Sequence, residues 1–268
     1  MNVFISADIE GTCGITAWAE TERATMADYR PFQQQMTREV NAACLGSIAA
    51  GAKEVFVKDA HDSARNIDAA ALPKSVRILR GWTGDPLSMM SGLDSGEFGA
   101  VLFTGYHAWA SCPGNPLSHT MNLGNEYVTL NGVRCSEFLI NAYTAGYYKV
   151  PVCFLSGDKD LCDFAKTLIP EIVTVPVNQG IGGGVVSIHP EVAVERIQAG
   201  AKEAVKKAAK CQVPMPDHFD TVIRFREHKL AYSKSFYPGA WLEDGKNVCF
   251  KTDDWYEMIR FYHFVLSD

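Results

Sequence analysis

The sequence lacks the features that mark secreted, membrane-spanning and disulfide-rich proteins. No apolar stretch approaches the roughly 18 residues expected of a membrane span, and the chain does not open on a basic segment followed by an apolar one. The eight cysteines include no CxxC pair, and several lie inside apolar runs, where cysteine behaves as a small core residue. These absences predict a cytoplasmic protein in a reducing compartment, with no membrane partner.

An excess of positive charge is also missing. The formal net charge is -6, and no basic stripe is available to follow a phosphate backbone, so we expect no nucleic-acid partner. No internal repeat or low-complexity segment interrupts the 268 residues, of which 47% are hydrophobic. This is an ordinary globular composition, sufficient for one large domain or two smaller ones.

Three short hydrophobic runs each end in residues that bind metals well. Residues 3–5 lead to Asp8 and Glu10, residues 54–57 to His61, and residues 100–103 to His107. Runs of this kind are typical of strands buried on both faces of a parallel sheet. Open α/β sheets form their sites beyond the carboxyl ends of such strands. The two carboxylates and two imidazoles are therefore expected at one sheet edge, where they could hold one or two metal ions.

Strands and helices alternate along the first part of the chain. Apolar residues at helical spacing predict a helix over residues 31–50. The further elements predicted here are strands at 75–79, 151–155 and 172–177 and helices at 86–92, 136–148 and 160–168. The Asn131-Gly132 pair predicts a hairpin over residues 127–135, because both residues accept positive φ angles. The alternation predicts an α/β fold with a mostly parallel, three-layer sheet domain.

A change of sequence character near residue 187 predicts a second, smaller α+β domain. Residues 180–184 are rich in glycine but lack the Lys-Ser/Thr pair of a phosphate-binding loop, so a hinge is expected there. Pro190 begins a long amphipathic helix to about residue 210. Strands at 221–226 and 247–251 and helices at 227–233 and 254–264 follow. The predicted domains are residues 1–186, which carry the site, and residues 187–268, which supply support, substrate walls or subunit contacts.

Asp8 and Glu10 are two residues apart, which puts both side chains on one face of an extended chain. Two adjacent carboxylates repel one another, so a cation between them is a natural partner. Taken alone, the pair could equally form a cap at a helix N-terminus near Gly11. The neighbouring strand ends favour the metal interpretation.

Two histidines lie in loops directly after predicted strands. His61 is flanked by Asp59 and Asp62, carboxylates able to orient its imidazole as the partners of metal-bound histidines usually do. His107 follows a buried strand within a Gly-Tyr-His-Ala segment. A single loop histidine is more often an ordinary surface residue. Two of them at the same sheet edge as two carboxylates indicate metal ligands.

Four further residues carry weaker signals. Glu137 opens a helix after the hairpin, where an acidic residue also simply favours the helix dipole. His119 lies in the long loop over the sheet edge, a common place for catalytic groups. Asp158 ends a predicted strand. It could be a metal ligand, a partner of a ligand or a helix cap, and we favour the last two roles. Cys112 has no neighbouring feature that would activate a thiol nucleophile.

Seven short motifs follow one another along the chain. They are Ser-Ala-Asp-Ile-Glu-Gly at residues 6–11, Asp-Ala-His at 59–61, Met-Met-Ser-Gly-Leu-Asp at 89–94, Gly-Tyr-His-Ala at 105–108, Ser-His-Thr at 118–120, Asn-Gly through Glu at 131–137, and Ser-Gly-Asp at 156–158. In this order they resemble peptidase family M55, the zinc D-aminopeptidases. The resemblance is dense over residues 1–178 and follows only the order of elements beyond them.

The resemblance implies a dinuclear zinc site in which Asp8 bridges the metals and His119 is the catalytic group beside them. The other ligands that it implies are Glu10, His61, His107 and Glu137. It also implies release of N-terminal D-residues from short peptides and a ring-like homo-oligomer, such as a decamer, that encloses its active sites. Residues 177–185 lack the basic side chains of the family in this segment, so the preference for D- over L-residues stays open.

Shells rich in oxygen with some nitrogen suit Zn²⁺ and also Mn²⁺ or Co²⁺. A water between two such ions would be deprotonated near neutral pH and could attack a peptide carbonyl. His119 could then move a proton to the leaving amine or stabilise the oxyanion. The leading hypothesis is a metal-dependent aminopeptidase. The alternatives are a dinuclear hydrolase of a non-peptide amide, lactam or ester, and a non-catalytic peptide-binding protein with a structural metal.

Overall fold

Two β-sheets with helices packed around them make up the computed structural model, which describes residues 1–267. The strands are β1 (Asn2–Ala7), β2 (Glu54–Asp59), β3 (Val76–Leu79), β4 (Ala100–Tyr106), β5 (Asn125–Leu130), β6 (Val133–Arg134), β7 (Val152–Asp158), β8 (Val173–Ile181), β9 (Gly184–Ser187), β10 (Phe219–Phe225), β11 (Trp241–Leu242) and β12 (Asn247–Thr252). The helices are α1 (Met26–Ala49), α2 (Glu137–Tyr147), α3 (Lys159–Leu168), α4 (Pro190–Lys207), α5 (His228–Lys234) and α6 (Trp255–Val265).

The larger sheet has the strand order β3-β2-β1-β4-β7-β8-β9. Its strands run parallel except for β9, which returns antiparallel to β8. Helix α1 connects β1 to β2 in one direction along the sheet, whereas α2 and α3 lead to β7 and β8 in the other direction. Right-handed crossovers in opposite directions place helices on opposite faces of a sheet. The predicted α/β class with a mostly parallel, three-layer sheet is confirmed.

The smaller sheet is antiparallel, with the order β11-β12-β10-β5-β6. Its β5–β6 hairpin turns at Asn131 and Gly132, whose φ angles are 50° and 78°, so the predicted hairpin is confirmed. Strand β10 pairs with β5, with Thr221 opposite Leu130. Helix α6 packs against β12 and against α2, the helix that leads to β7 of the larger sheet. This sheet therefore joins segments that lie far apart in sequence.

Helices and strands from the two predicted domains pack in the same layers of the structure. Helix α4, which follows residue 187, packs against α1 and against strands β7 and β8 of the parallel sheet. The β5–β6 hairpin, which precedes residue 186, belongs to the antiparallel sheet with β10 and β12. The division into domains at residues 1–186 and 187–268 stays a prediction.

The prediction of a hinge at residues 180–184 is wrong, because this segment forms the turn of the β8–β9 hairpin. Ile181 pairs with Gly184, and Gly182 has a φ of 58°, which favours glycine in a tight turn. Glycine is rare in strands and has no side chain to show the alternation of apolar and polar residues. The sequence pattern therefore does not predict that β8 continues to Ile181 or that β9 follows it.

Helix α1 begins at Met26, earlier than the predicted start at Pro31. Pro31 lies inside the helix, where it removes one backbone donor. Tyr29, in the early part of the helix, is 1% exposed and donates its hydroxyl to Asn66. This packing ties the start of α1 to the loop after β2.

All eight cysteines are buried and unpaired, as expected for small core residues. None of the helices within residues 1–267 combines the length and the apolar character that crossing a bilayer requires.

Candidate metal centre

A close approach of two glycines brings the loop after β1 against the end of strand β4. The backbone N–H of Asp8 donates to the Thr104 carbonyl at 2.9 Å, and that of Gly11 donates to the Gly105 carbonyl at 2.8 Å. A Cβ atom on Gly11 would lie 1.9 Å from the Tyr106 carbonyl oxygen, and Gly105 has a φ of 68°. Only glycine permits this backbone contact. It sets the acidic loop after β1 directly against the end of β4, next to His107.

His61 follows β2 and points its Nδ1 atom at the two carboxylates of the first loop. Nδ1 lies 3.1 Å from Glu10 Oε2 and 3.4 Å from Asp8 Oδ1. Nε2 lies 3.0 Å from the Thr21 carbonyl oxygen, so Nε2 carries a proton and Nδ1 is the ring atom left to bind a metal. The prediction that flanking carboxylates orient this imidazole is wrong. Thr21 orients the ring, whereas Asp59 accepts hydrogen bonds from the backbone farther along the same loop.

His107 presents its Nε2 atom to the same space from the loop after β4. Nε2 lies 3.4 Å from Glu137 Oε2 and 3.6 Å from Asp8 Oδ2, while Nδ1 lies 2.9 Å from the Ala108 carbonyl oxygen. The N–H of Ala108 in turn donates to Asp158 Oδ2 at 2.6 Å, and the other oxygen of Asp158 caps helix α3. Asp158 is thus a helix cap, as predicted, and it supports the His107 loop through the backbone of Ala108 rather than by bonding to a ligand directly.

Glu137 is the first residue of α2, which follows the β5–β6 hairpin, and its side chain reaches the site from there. The preceding residue, Ser136, caps α2, because its hydroxyl accepts the N–H of Leu139. Glu137 Oε1 accepts the N–H of Met121 at 2.7 Å, which leaves Oε2 to face His107. The positive end of the helix dipole favours a carboxylate at this position.

Two of the groups whose three ligand atoms lie within 4.8 Å of one another share Asp8, and each could hold a metal ion. One set is Asp8, Glu10 and His61, and the other is Asp8, His107 and Glu137. Asp8 faces the first set with Oδ1 and the second with Oδ2. Asp8 Oδ2, Glu10 Oε2 and His107 Nε2 are buried and have no hydrogen-bond partner among the described residues. Unpaired lone pairs in an interior are costly, so these donors fit a metal ion.

The electrostatics of the two sets also call for a cation. Burial and the negative charge of Glu10 raise the pKa of Asp8 well above its ordinary value. Burial also tends to raise the pKa of Glu10, but the positive charge that His61 carries in the metal-free protein outweighs it and holds that pKa well below the usual range. Carboxylates forced together in this way are stabilised by a positive charge between them.

His119 sits at the edge of the two sets and is more open to solvent. Its side chain is 14% exposed, whereas those of the five other site residues are at most 7% exposed. The ring stacks on His107 with centroids 4.3 Å apart, and Trp18 meets it edge-on at 5.3 Å. Nδ1 lies 2.9 Å from the Leu117 carbonyl oxygen, and Nε2 lies 3.5 Å from Glu137 Oε1. Burial and the charge of His107 lower the pKa of His119, which favours a neutral imidazole.

Geometry alone would also admit His119 as a ligand, because its Nε2 atom forms a third close set with Glu10 and His107. The predicted site residues are therefore all brought together. Two groups that orient these side chains were not predicted from the sequence: the Thr21 carbonyl, which holds His61, and Trp18, which packs against His119. Neither carries a signal, because a carbonyl is common to every residue and Trp18 is close to His119 only in the folded chain.

A cavity of about 710 Å³ opens onto Asp8, Glu10, His61, His119 and Glu137. Its apolar wall includes Trp18, Trp82, Met89 and Met121, and the end of the chain adds Tyr262, His263, Leu266 and Ser267. The C-terminal region thus supplies part of the wall, as expected. Among the described residues that line the cavity, none is a lysine or an arginine.

Two features weighed from the sequence stay outside the cavity. Burial raises the pKa of the Cys112 thiol to about 11, so it is a poor nucleophile. Residues 177–185 contribute nothing to the part of the cavity wall that the structure describes. Asn178 instead accepts the N–H of Gly14 at 3.0 Å and donates to the Thr12 carbonyl at 2.7 Å. It supports the end of the loop that carries Asp8.

The chain matches one protein family along almost its whole length. The family model Peptidase_M55, described as D-aminopeptidase, matches residues 1–264. The D-aminopeptidase of Bacillus subtilis (strain 168) is 31% identical over 260 residues, which is 96% of this chain and 93% of the relative. A similar solved structure is the Zn-dependent D-aminopeptidase DppA from Bacillus subtilis, a self-compartmentalizing protease. It has a TM-score of 0.91 and 29% identity over 99% of this chain and 96% of its own. The chain therefore belongs to peptidase family M55 and is a metallo-aminopeptidase.

Proposed function

We propose that the chain removes N-terminal D-amino acids from short peptides at a dinuclear zinc centre. Asp8 bridges the two ions, Glu10 and His61 complete one site, and His107 and Glu137 complete the other. The observation that carries the proposal is the sharing of Asp8, which turns one carboxylate oxygen to each of two buried ligand sets.

Zinc is supported by the donors and by a relative. Three carboxylates and two imidazoles suit Zn²⁺, although Mn²⁺ and Co²⁺ accept the same donors. The similar structure from Bacillus subtilis is a Zn-dependent enzyme. In His61 and His107 the N–H group on one ring nitrogen donates to a backbone carbonyl, which leaves the other ring nitrogen to bind a metal.

His119 is the proposed proton carrier. Bound zinc supplies Lewis acidity, which lowers the pKa of water and polarises a carbonyl oxygen. Because His119 Nδ1 is engaged by the Leu117 carbonyl, the free Nε2 of the neutral ring faces the site. Nε2 can accept a proton from the attacking water and return it to the leaving amine. Trp18 and His107 pack against the ring and hold it in this orientation.

The cavity fits a short peptide with a free amine. A volume of about 710 Å³ lies within the range of ordinary small-ligand sites. Its lining includes the carboxylates of Glu22, Asp62 and Asp85 without a lysine or arginine among the described residues. An anionic lining attracts the α-ammonium group of a peptide.

We also propose a homo-oligomer that encloses the active sites, with a decamer as the expected size. The similar Bacillus subtilis structure is a self-compartmentalizing protease. Tyr232 on α5, Phe236 just after α5 and Phe264 on α6 are 60%, 70% and 57% exposed, an apolar surface suited to subunit contacts. Sedimentation analysis should give a single large species. A monomer at all accessible concentrations would contradict this part of the proposal.

Neither alternative function gains support from the cavity. The feature that favours a non-peptide amide is the departure from the family's basic pattern at residues 177–185, and these residues lie away from the described cavity wall. A structural zinc site is a closed shell, usually rich in cysteine, whereas this site is rich in carboxylates and opens to a cavity.

The test is hydrolysis of matched L- and D-aminoacyl dipeptides by metal-free protein reconstituted with Zn²⁺, Mn²⁺ or Co²⁺. We expect turnover of D-Ala dipeptides that depends on added metal. His119→Ala should retain the bound metal and lose about 10²- to 10⁴-fold in kcat, the usual contribution of a general acid–base group. Full activity in His119→Ala, or faster hydrolysis of L- than of D-peptides, would contradict the proposal.

A further inference from the structure

The loop that carries His61 contains two residues in an unfavourable backbone conformation. Asp62 and Ala64 have φ angles of 43° and 52°, in the left-handed region that disfavours residues with a Cβ atom. Such residues cost about 1–3 kcal/mol each and persist only where surrounding contacts hold them. The position of His61 therefore depends on whatever holds this loop.

Asn66 makes the central contacts. Its side chain is fully buried, and its Nδ2 atom donates both to the His61 carbonyl at 2.8 Å and to Asp59 Oδ1 at 2.9 Å. Its Oδ1 atom accepts the Tyr29 hydroxyl at 2.8 Å. Asp59 Oδ2 also accepts the backbone N–H groups of Asn66 and Ile67. The amide thus links the end of β2, the backbone of His61 and helix α1.

We propose that Asn66 is a positioning residue for His61, and through it for the metal held by Asp8, Glu10 and His61. This inference rests on the proposed dinuclear centre. The imidazole is held at its Nε2 atom by the Thr21 carbonyl, and Asn66 holds the backbone from which it projects. No side-chain atom of Asn66 bonds to Asp8 or Glu10 among the described contacts, so its influence passes through His61.

The second metal position has a separate anchor. The loop of His107 is held by Asp158, which accepts the N–H of Ala108, and Ala108 accepts Nδ1–H of His107. This chain of contacts shares no residue with the one through Asn66. Loss of Asn66 should therefore weaken one metal position and spare the other.

The experiment measures zinc affinity by chelator competition on metal-free protein. Wild type should bind two equivalents. Asn66→Ala should weaken one of them by about 10- to 100-fold, as loss of a residue that orients a metal ligand commonly does, and leave the other unchanged. Equal weakening of both equivalents would overturn the proposal.

A double-mutant cycle with His61→Ala separates positioning from general destabilisation. Direct titration with zinc measures the weak affinity that Asp8 and Glu10 retain in His61→Ala. If Asn66 acts through His61, then Asn66→Ala in this background should cause no further loss of that affinity. A further loss of the same size as in wild type would overturn the proposal. Asn141→Ala is the matched control, because this equally enclosed asparagine bonds instead to the Tyr106 hydroxyl and Met89 sulfur. It should leave the equivalent that Asn66 affects unchanged.

Tyr29→Phe keeps the test decisive if Asn66→Ala fails to fold. It removes one hydroxyl and should weaken the same equivalent by about two- to tenfold, the value of one hydrogen bond. Unchanged affinity for that equivalent would overturn the proposal. If wild type bound a single equivalent, the dinuclear proposal would fail, and the cycle with His61→Ala would still decide the role of Asn66.

Discussion

Glu39 is expected to make the stability of the protein depend on pH. Its side chain lies on α1 and is 1% exposed. Oε1 accepts the N–H of Cys13 and the amide of Gln35, both at 3.0 Å, and Oε2 has no partner among the described residues. Burial raises the pKa of Glu39 from 4.5 to about 7, against the opposing effect of the two hydrogen bonds.

The folded chain binds this proton more tightly than the unfolded chain. Glu39 stays protonated up to about pH 7 when folded but loses its proton above pH 4.5 when unfolded. The stabilisation is complete below pH 4.5 and is lost as the pH rises through 7. At about 1.4 kcal/mol for each pKa unit, the loss is about 3 kcal/mol.

Glu39→Gln isolates this contribution, because glutamine resembles the neutral acid and does not titrate. Urea unfolding of metal-free protein at fixed concentration measures the free energy of unfolding of both proteins. Relative to wild type, the variant should gain about 3 kcal/mol between about pH 4 and pH 8. All other titrating groups are common to both proteins and cancel in the difference. A difference that stays constant over this range would refute the reasoning.

Three further predictions concern the site. Gly11→Ala places a Cβ atom 1.9 Å from the Tyr106 carbonyl oxygen, so the loop carrying the first ligands must move and bound zinc should be lost; metal content at wild-type level would contradict this. The acid limb of kcat/KM should have its midpoint below pH 6.5, because burial lowers the pKa of His119; a midpoint above 6.5 would count against His119 as the base. Iodoacetamide at neutral pH should leave activity intact, because the pKa of Cys112 is raised to about 11; inactivation prevented by substrate would reopen a thiol mechanism.

The ligands at strand ends could be predicted from the sequence because their placement is local. Asp8, His61 and His107 each follow a strand whose hydrophobic run is unmistakable, and parallel strands bring their carboxyl ends to one edge. The structure places β1 between β2 and β4, so these three loops are neighbours. Nothing more than periodicity and the rules of α/β sheets is needed for this part of the site.

Glu137 could not be found in the same way. It reaches the site because the β5–β6 hairpin pairs with β10, a contact between distant segments that no local pattern encodes. From position alone it is a first-turn acid, and only the resemblance to a family pointed to it as a ligand. The packing of α4 on α1 and the hairpin hidden by glycines at residues 180–184 escaped prediction for related reasons. Tertiary contacts and backbone geometry decide them, not side-chain periodicity.

The central claim is that one carboxylate is shared by two metal ions, and metal content measures it directly. Zinc bound per subunit after gel filtration should be two equivalents in wild type. It should fall to one in both His61→Ala and Glu137→Ala, and both ions should be lost in Asp8→Ala, because Asp8 belongs to both ligand sets. One equivalent in wild type, or a loss in Asp8→Ala no larger than in His61→Ala, would contradict the account.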